Sequence, residues 1–319
     1  MTNTTHPLTL GRATREAYGE ALLMVGTENK NVIVIDADLA KSTFSWTFGK
    51  NFPERFFNIG IQEANMIGIA SGLASSGKIP FISSFAAFIL CKGFDQLRMG
   101  AAYPKLNVKV AGSHGGISIG EDGVSQQSVE DVALACALPG FVVCVPSDEH
   151  TMRAAVFAAA EHNGPVYLRL GRPKTFVVHD EAVHFEFGRS IELRDGHSLT
   201  IVANGLLVAQ ALIAADALSK RGIEARVIDM HTVKPLDSAA LERASHETGA
   251  FVVAEEHMHH GGLGSAVAQA LVAGTPAPVE YVNLGDRYAE SGKPDDLLEK
   301  YGMTAKNIVS AAERVLARK

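Results

Sequence analysis

The sequence predicts an α/β protein of two domains, a larger first one built on a mainly parallel sheet and a smaller second α/β unit. Three observations carry this expectation. From Arg15 onward, β-branched apolar runs of strand length alternate with segments of helical periodicity. One more polar stretch, VVHDEAVHFEFGRSIELRD from Val177 to Asp195, interrupts the alternation, which then restarts. At 319 residues, 33.9 kDa and 47% hydrophobic residues, the chain is long enough for about two cores. Alternating strands and helices imply crossover connections, hence parallel strands with both sheet faces covered. The division is placed at residue 190, giving domains 1–190 and 191–319.

Each element follows from its local pattern. Helical spacing covers Arg15–Val25, Gln62–Ala74, Val129–Ala137 and Glu149–Ala160. Between these lie the strand-like runs Asn31–Ile35 (NVIVI), Val108–Val110, Phe141–Val145 and Val166–Leu170, which end near Gly, Pro, Asp or Ser. Beyond the polar stretch come strand Leu199–Val202, helix Val208–Lys220, strand Ala225–Ile228, helix Ser238–Thr248 and strand Phe251–Ala254. Helix Gly264–Ala273, strand Val279–Asn283 and a terminal helix near Ala305–Ala317 complete the chain, without a short internal repeat.

Composition narrows the function. The net charge is −6 and no run of Lys or Arg offers a footprint for nucleic acid or an anionic membrane. Small-molecule chemistry or protein partners are favoured. No stretch approaches the roughly 18 uninterrupted apolar residues of a membrane span, and MTNTTHPLTLGR lacks the apolar core of a signal peptide. Cys91, Cys136 and Cys144 are odd in number and sit among apolar residues, so buried free thiols and a cytoplasmic location are expected.

Five segments hold candidate chemistry. FFNIGIQEANMIGIASGLA, from Phe56, places one carboxylate, Glu63, in apolar surroundings, and puts Ala64, Gly68, Ser71 and Gly72 near one helix face, which suits close approach of a second subunit. The plainer reading of Glu63 is a helix-start carboxylate facing free N–H groups. In PFISSFAAFILCKGFDQLR, Phe85 and Phe88 would share a helix face, more often core than pocket. SHGGISIGEDGVSQQSVED sets His114, Glu121, Asp122, Glu130 and Asp131 among glycines, either a loop that approaches a ligand or a solvated turn before a helix capped at Ser128. It is neither a P-loop nor a GxGxxG fingerprint. Arg169, Arg172 and Lys174 in YLRLGRPK suit an anion or a surface ion pair. His257, His259 and His260, beside Glu255 and Glu256, are metal-ligand types but weak evidence for a metal site.

Read together and in order, ATREAYGEAL (from Ala13), DADLAKSTFS (from Asp36), PERFFNIGIQEANMIGIASGLA (from Pro53), PFISSFAAF (from Pro80), FDQLRM (from Phe94), GSHGGISIGEDGVSQQSVEDVA (from Gly112), LRLGRP (from Leu168) and ESGKPDDLL (from Glu290) resemble the C-terminal half of transketolase. The resemblance spans essentially the whole chain. It implies a pyrimidine-binding domain for thiamine diphosphate followed by a transketolase C-terminal domain. Glu63 matches the glutamate that hydrogen-bonds the cofactor's pyrimidine ring; a carboxyl group in an apolar pocket shares a proton with such a ring nitrogen readily. Phe85 and Phe88 match the aromatic residues flanking that ring, against the core-stripe reading, and Asp38 an acidic residue near the thiazolium. Arg15, Ser42, His114 and Arg172 match the family's sugar-phosphate contacts, with His114 also in a catalytic role, and Asp122 matches the aspartate that bonds a substrate hydroxyl. Gln126 stands at a cofactor-side position where many microbial and plant members carry histidine and animal members glutamine, so any role there is restricted to hydrogen bonding.

The family's Mg²⁺ and diphosphate ligands, marked by a GDG motif, do not occur in the sequence. The expectation is a C-terminal subunit of a split transketolase, inactive alone and completed by a separate N-terminal subunit that holds the Mg²⁺, as a self-associating α2β2 assembly acting on sugar phosphates. Two enzymatic alternatives are the beta subunit of a 2-oxoacid dehydrogenase's decarboxylating component, which needs no sugar-phosphate clamp, and a deoxyxylulose-phosphate-synthase-like enzyme, which normally keeps all domains in one chain. A non-catalytic binding paralogue is the third; the retained Glu63, Phe85, His114, Asp122 and Arg172 argue against it.

Overall fold

The computed structural model describes residues 8–319. The expectation about a leader segment falls partly on the first seven and lies outside the described residues. The strands are β1 (Thr9–Ala13), β2 (Val32–Asp36), β3 (Phe56–Asn58), β4 (Ile79–Phe85), β5 (Lys109–Ser113), β6 (Val142–Cys144), β7 (Val166–Arg169), β8 (Lys174–Val177), β9 (Ile191–Arg194), β10 (Leu199–Ala203), β11 (Ala225–Asp229), β12 (Thr232–Lys234), β13 (Phe251–Ala254) and β14 (Val279–Val282). They form a seven-stranded sheet of order β12-β6-β7-β5-β4-β2-β3 and a five-stranded sheet of order β14-β13-β10-β11-β9. Only β12 and β9 run antiparallel to their neighbours within these two sheets. β1 and β8 pair separately as an antiparallel ribbon.

The first sheet is buried on both faces, which explains its nearly continuous apolar strands: all five residues of β2 are buried, as are all five of β5. Helix Thr14–Glu28 packs against helix Glu149–Glu161, which starts at an Asp148 capping box whose side chain accepts the Thr151 amide at 2.9 Å. Lys109, although on a central strand, is satisfied by two backbone carbonyls, those of His162 and Gly164, each at 2.7 Å; burial lowers its pKa to about 7.

Four expectations change. Phe85 does not ride a helix with Phe88: Ile79–Phe85 is a seven-residue central strand and Phe85 is its last residue, the helix starting at Ala86. The short apolar run that closes on Phe85 has no period to separate strand from helix, and β pairing decided it. Ser128 caps no helix; Asp131–Cys136 follows Glu130, and the Ser128 carbonyl accepts from Gly116 and Arg169 instead. Of the free cysteines only Cys144 is fully buried, and Cys91 is exposed. The polar stretch from Val177 to Asp195 does not wholly interrupt the alternation, since it carries β9.

The two sheets are tied together. β12, from beyond the polar stretch, extends the first sheet by pairing with β6. One apolar cluster runs from Ile35, Ile67 and Ile82 through Phe141 and Val145 to Met230 and Phe251. The C-terminal unit therefore shares a core with the first.

Sheet order positions the site. From β2 the chain moves outward to β3, then returns to place β4 on the opposite side of β2. Such a reversal leaves a crevice at the carboxyl ends of the strands, where ligands of open α/β sheets bind.

Candidate functional site

Most of the candidate residues gather at this edge because they lie at, or just after, the end of a parallel strand. Asp38 follows β2, Asn58 closes β3, Ser84 and Phe85 close β4, His114 follows β5 and Arg172 follows β7. Glu63 opens helix Glu63–Ser75, which enters just after β3. It is 3% exposed, and Ser84 Oγ donates to its Oε1 at 3.0 Å. A carboxylate in the first turn is also favoured by the free helical N–H groups, so the two readings of Glu63 coexist physically.

Phe85 links the two halves of the site. Its ring stacks with Phe88 at a centroid distance of 5.6 Å and an interplanar angle of 23°, and its other neighbour is the His114 imidazole at 3.9 Å. His114 holds a left-handed backbone, φ 62°, a conformation a non-glycine residue adopts only when its surroundings enforce it.

Those surroundings are polar and specific. Arg15 Nη1 approaches His114 Nε2 at 3.3 Å, and Ser113 Oγ lies 2.8 Å from Nδ1. A guanidinium only donates, so Nε2 accepts and the proton resides on Nδ1, which donates to Ser113. Burial, reinforced by the charges of Arg15 and Arg172, lowers the imidazole pKa to about 3. His114 is therefore neutral at physiological pH. Arg15 Nη1 also donates to the Ser42 carbonyl at 2.9 Å, fixing the guanidinium; burial and the nearby Arg172 charge lower its pKa too.

Arg172 is half-buried and donates to the Ile119 carbonyl and, at 3.0 Å, to Glu121 Oε2. Asp122 is exposed at the tip of the same loop, and Gln126 is half-buried with its Oε1 accepting from Ser125 Oγ. Asp38 sits apart from His114, in a left-handed conformation of φ 68°, and exchanges two 3.1 Å hydrogen bonds with Asn58. Asp38 and Ser42 line one cavity of about 420 Å³ with Leu39, Trp46 and Phe56.

Two other sequence candidates serve the fold. Arg169 does not bind an external anion: its Nε and Nη2 engage Asp131 at 2.8 and 3.1 Å, Tyr167 OH donates to the same carboxylate at 2.6 Å, and the pair is buried. Among the described residues no three His, Cys, Asp or Glu side chains converge as a metal-binding set. Within EEHMHHGG, Glu255 instead accepts the Leu263 and Gly264 amides at 2.7 Å, opening helix Leu263–Ala273, and His257 Nε2 accepts the Ala133 amide at 3.3 Å. Sequence reading missed Ser84 and Ser113, which orient Glu63 and His114; their one signal is position, each at the carboxyl end of a buried strand.

A reversed parallel sheet with a buried carboxylate and stacked aromatic rings at its strand ends, and two guanidiniums close by, defines a small-molecule-binding α/β protein of the enzyme type. The transketolase pyrimidine-binding domain profile matches residues 11–176 and the transketolase C-terminal domain profile residues 188–308. The chain belongs to the transketolase family. A putative transketolase C-terminal section of Methanocaldococcus jannaschii is 42% identical over 306 residues, covering 95% of this chain and 95% of that protein. A 6-deoxy-6-sulfo-D-fructose transketolase subunit of a Clostridium species is 42% identical over 305 residues, 96% of this chain and 95% of that one. Human transketolase is 37% identical over 311 residues, but the match spans only 49% of its length. Among solved structures, a split gene transketolase described as an inactive beta4 tetramer superposes with a TM-score of 0.91 at 49% identity, covering 96% of this chain and 99% of that one.

Proposed function

We propose that this chain is the C-terminal subunit of a split, thiamine-diphosphate-dependent transketolase. With a separately encoded N-terminal subunit that holds Mg²⁺ and the diphosphate, it transfers a two-carbon ketol unit from a ketose phosphate to an aldose phosphate. The observation that carries this reading is the buried Glu63, hydrogen-bonded by Ser84, one residue from the Phe85–Phe88 stack. A protonatable carboxylate beside flat apolar rings fits the pyrimidine half of the cofactor, and two relatives matched end to end are named as a section or subunit of a transketolase.

The cofactor, when bound, supplies the carbanion and electron sink. The chain's own residues bind and orient. Glu63 exchanges a proton with a ring nitrogen, and the stacked Phe85 and Phe88 offer the ring an apolar wall. Asp38 and Gln126 complete the cofactor side by hydrogen bonding. Arg15, Ser42, His114 and Arg172 line the place of the sugar's anionic group: the two guanidiniums supply charge and donors, while the neutral His114, its N–H engaged by Ser113, orients Arg15 through Nε2. Asp122, free on its loop tip, accepts from a substrate hydroxyl.

The assembly we propose is α2β2, with the division between domains at residue 190 and the reducing cytoplasm, suited to the free thiols, as its compartment. Self-association is supported by helix Glu63–Ser75, whose Gly68 and Gly72 face open space beside the exposed Ile61 and Ile69. The free side of Arg172 disfavours a 2-oxoacid dehydrogenase subunit. A sulfonated ketose is a second reading, favoured by the Clostridium relative, since the same guanidiniums suit a sulfonate or a phosphate. Co-expression with candidate N-terminal subunits and an assay of two-carbon transfer from phosphorylated and sulfonated ketoses tests the proposal. Tight thiamine diphosphate binding and turnover by the chain alone would contradict it.

A further inference from the structure

The segment EEHMHHGG lies in the C-terminal domain, yet it reaches under the glycine-rich loop that follows β5. Glu256 Oε1 accepts the Ser118 amide at 2.6 Å, across 138 residues of sequence. The Glu256 carbonyl accepts Arg169 Nη1 at 3.0 Å, so backbone and side chain of one residue are both fixed from the first domain. The neighbouring Met258 amide donates to the Val129 carbonyl at 2.9 Å, which secures the far end of the same loop. Glu256 is 6% exposed, and a buried carboxylate is retained only where it is compensated.

Gly116 makes room for this contact. Its φ is 87°, and a Cβ there would stand 2.2 Å from Glu256 Cδ. A side chain at 116 is excluded both by the left-handed backbone and by the carboxylate. The loop is thus shaped around Glu256.

What the loop carries gives the contact its consequence. Residues Ile117–Ile119 form one tight turn, its Ser118 amide held by Glu256 and its Ile119 carbonyl accepting from Arg172. His114 precedes the turn and Asp122 follows it. We propose that Glu256 is a positioning residue for the reaction: its carboxylate fixes the Ser113–Gly123 loop, and through it the placement of His114, Asp122 and Arg172 toward the sugar. The C-terminal domain thereby acts on substrate recognition without touching substrate. This rests on the transketolase reading for its kinetic consequence, though not for its structural one.

The test compares E256Q, which keeps an acceptor oxygen of the same reach, with E256D, which withdraws the carboxylate by one methylene, and E256A. Hydrogen exchange of residues 117–123 is read in the chain by itself, and kcat and KM for a ketose phosphate in the complex with its N-terminal subunit. Expected are exchange at least tenfold faster and KM about tenfold higher in E256A, with kcat within threefold; a smaller change in the same direction in E256D; and near wild-type values in E256Q. Wild-type exchange and KM in both E256A and E256D overturn the proposal, as does a loss of melting temperature with KM unmoved. If E256A does not fold, E256D against E256Q decides on the same two readouts. Absence of any two-carbon transfer in the wild-type complex would defeat the transketolase reading and leave the exchange result to decide the role of Glu256.

Discussion

Arg15 Nη1 stands 3.3 Å from His114 Nε2, and the same nitrogen donates to the Ser42 carbonyl at 2.9 Å. One guanidinium thus joins three residues that lie far apart in sequence, and it dictates the imidazole tautomer. Because burial disfavours a charged His114, and Arg15 and Arg172 add to the cost, its proton is lost far below the usual range.

That depression sets a pH expectation. The histidine pKa falls from an unfolded value of 6.5 to about 3 in the folded chain. Between these values the unfolded chain binds the extra proton, so the contribution is full above pH 6.5 and is lost as pH falls toward 3. Denaturant melts of wild type against His114→Asn between pH 4 and 7 should show the wild type losing stability more steeply on acidification, by up to roughly 3 kcal/mol. In the same window, KM for a ketose phosphate should carry no inflection from His114.

Glu63→Ala is expected to lower two-carbon transfer by about 10²–10⁴-fold, the range for loss of a general acid–base group, while the complex still assembles. Initial rates together with size-exclusion profiles check this. Glu63→Gln, which can still accept from Ser84, should assemble equally well and remain inactive.

Glu121 holds Arg172 at 3.0 Å on the surface, where solvent screens the pair and leaves it weak. Of the two partners of Arg172, the Ile119 carbonyl and Glu121, only Glu121 carries a charge that competes with an incoming anion. Arg172→Ala should raise KM for phosphorylated ketoses at least tenfold and leave unphosphorylated ketoses nearly unchanged. Glu121→Gln should lower KM for the phosphorylated substrate by about twofold to fivefold at low salt, an effect that fades at high ionic strength.

The buried Asp131–Arg169 pair behaves oppositely. Asp131→Ala leaves a guanidinium without its carboxylate in the core and should cost about 3–5 kcal/mol in equilibrium unfolding. Replacing both members together, as Asp131→Leu with Arg169→Met, should cost less than Asp131→Ala alone. A double variant less stable than the single one would contradict this account of the pair.

Much of this protein is written locally. The runs around Val32–Asp36, Val166–Arg169 and Phe251–Ala254 declare strands through continuous apolar, β-branched residues, and helix Ser238–Thr248 begins and ends where its pattern does. Glu63 is conspicuous in sequence because a lone carboxylate in an apolar helix must find compensation, and the motifs around it carry the family resemblance. Tertiary structure alone decided that Phe85 ends a strand, that Cys91 is exposed, that Arg169 spends its charge on Asp131, and that β12 joins the first sheet. It alone brought Arg15 to His114 and Glu256 to Ser118. The reason is physical: side-chain periodicity reports the burial of one element's faces, whereas strand order determines which distant strand ends converge, and that order is fixed only by the packing of the whole sheet.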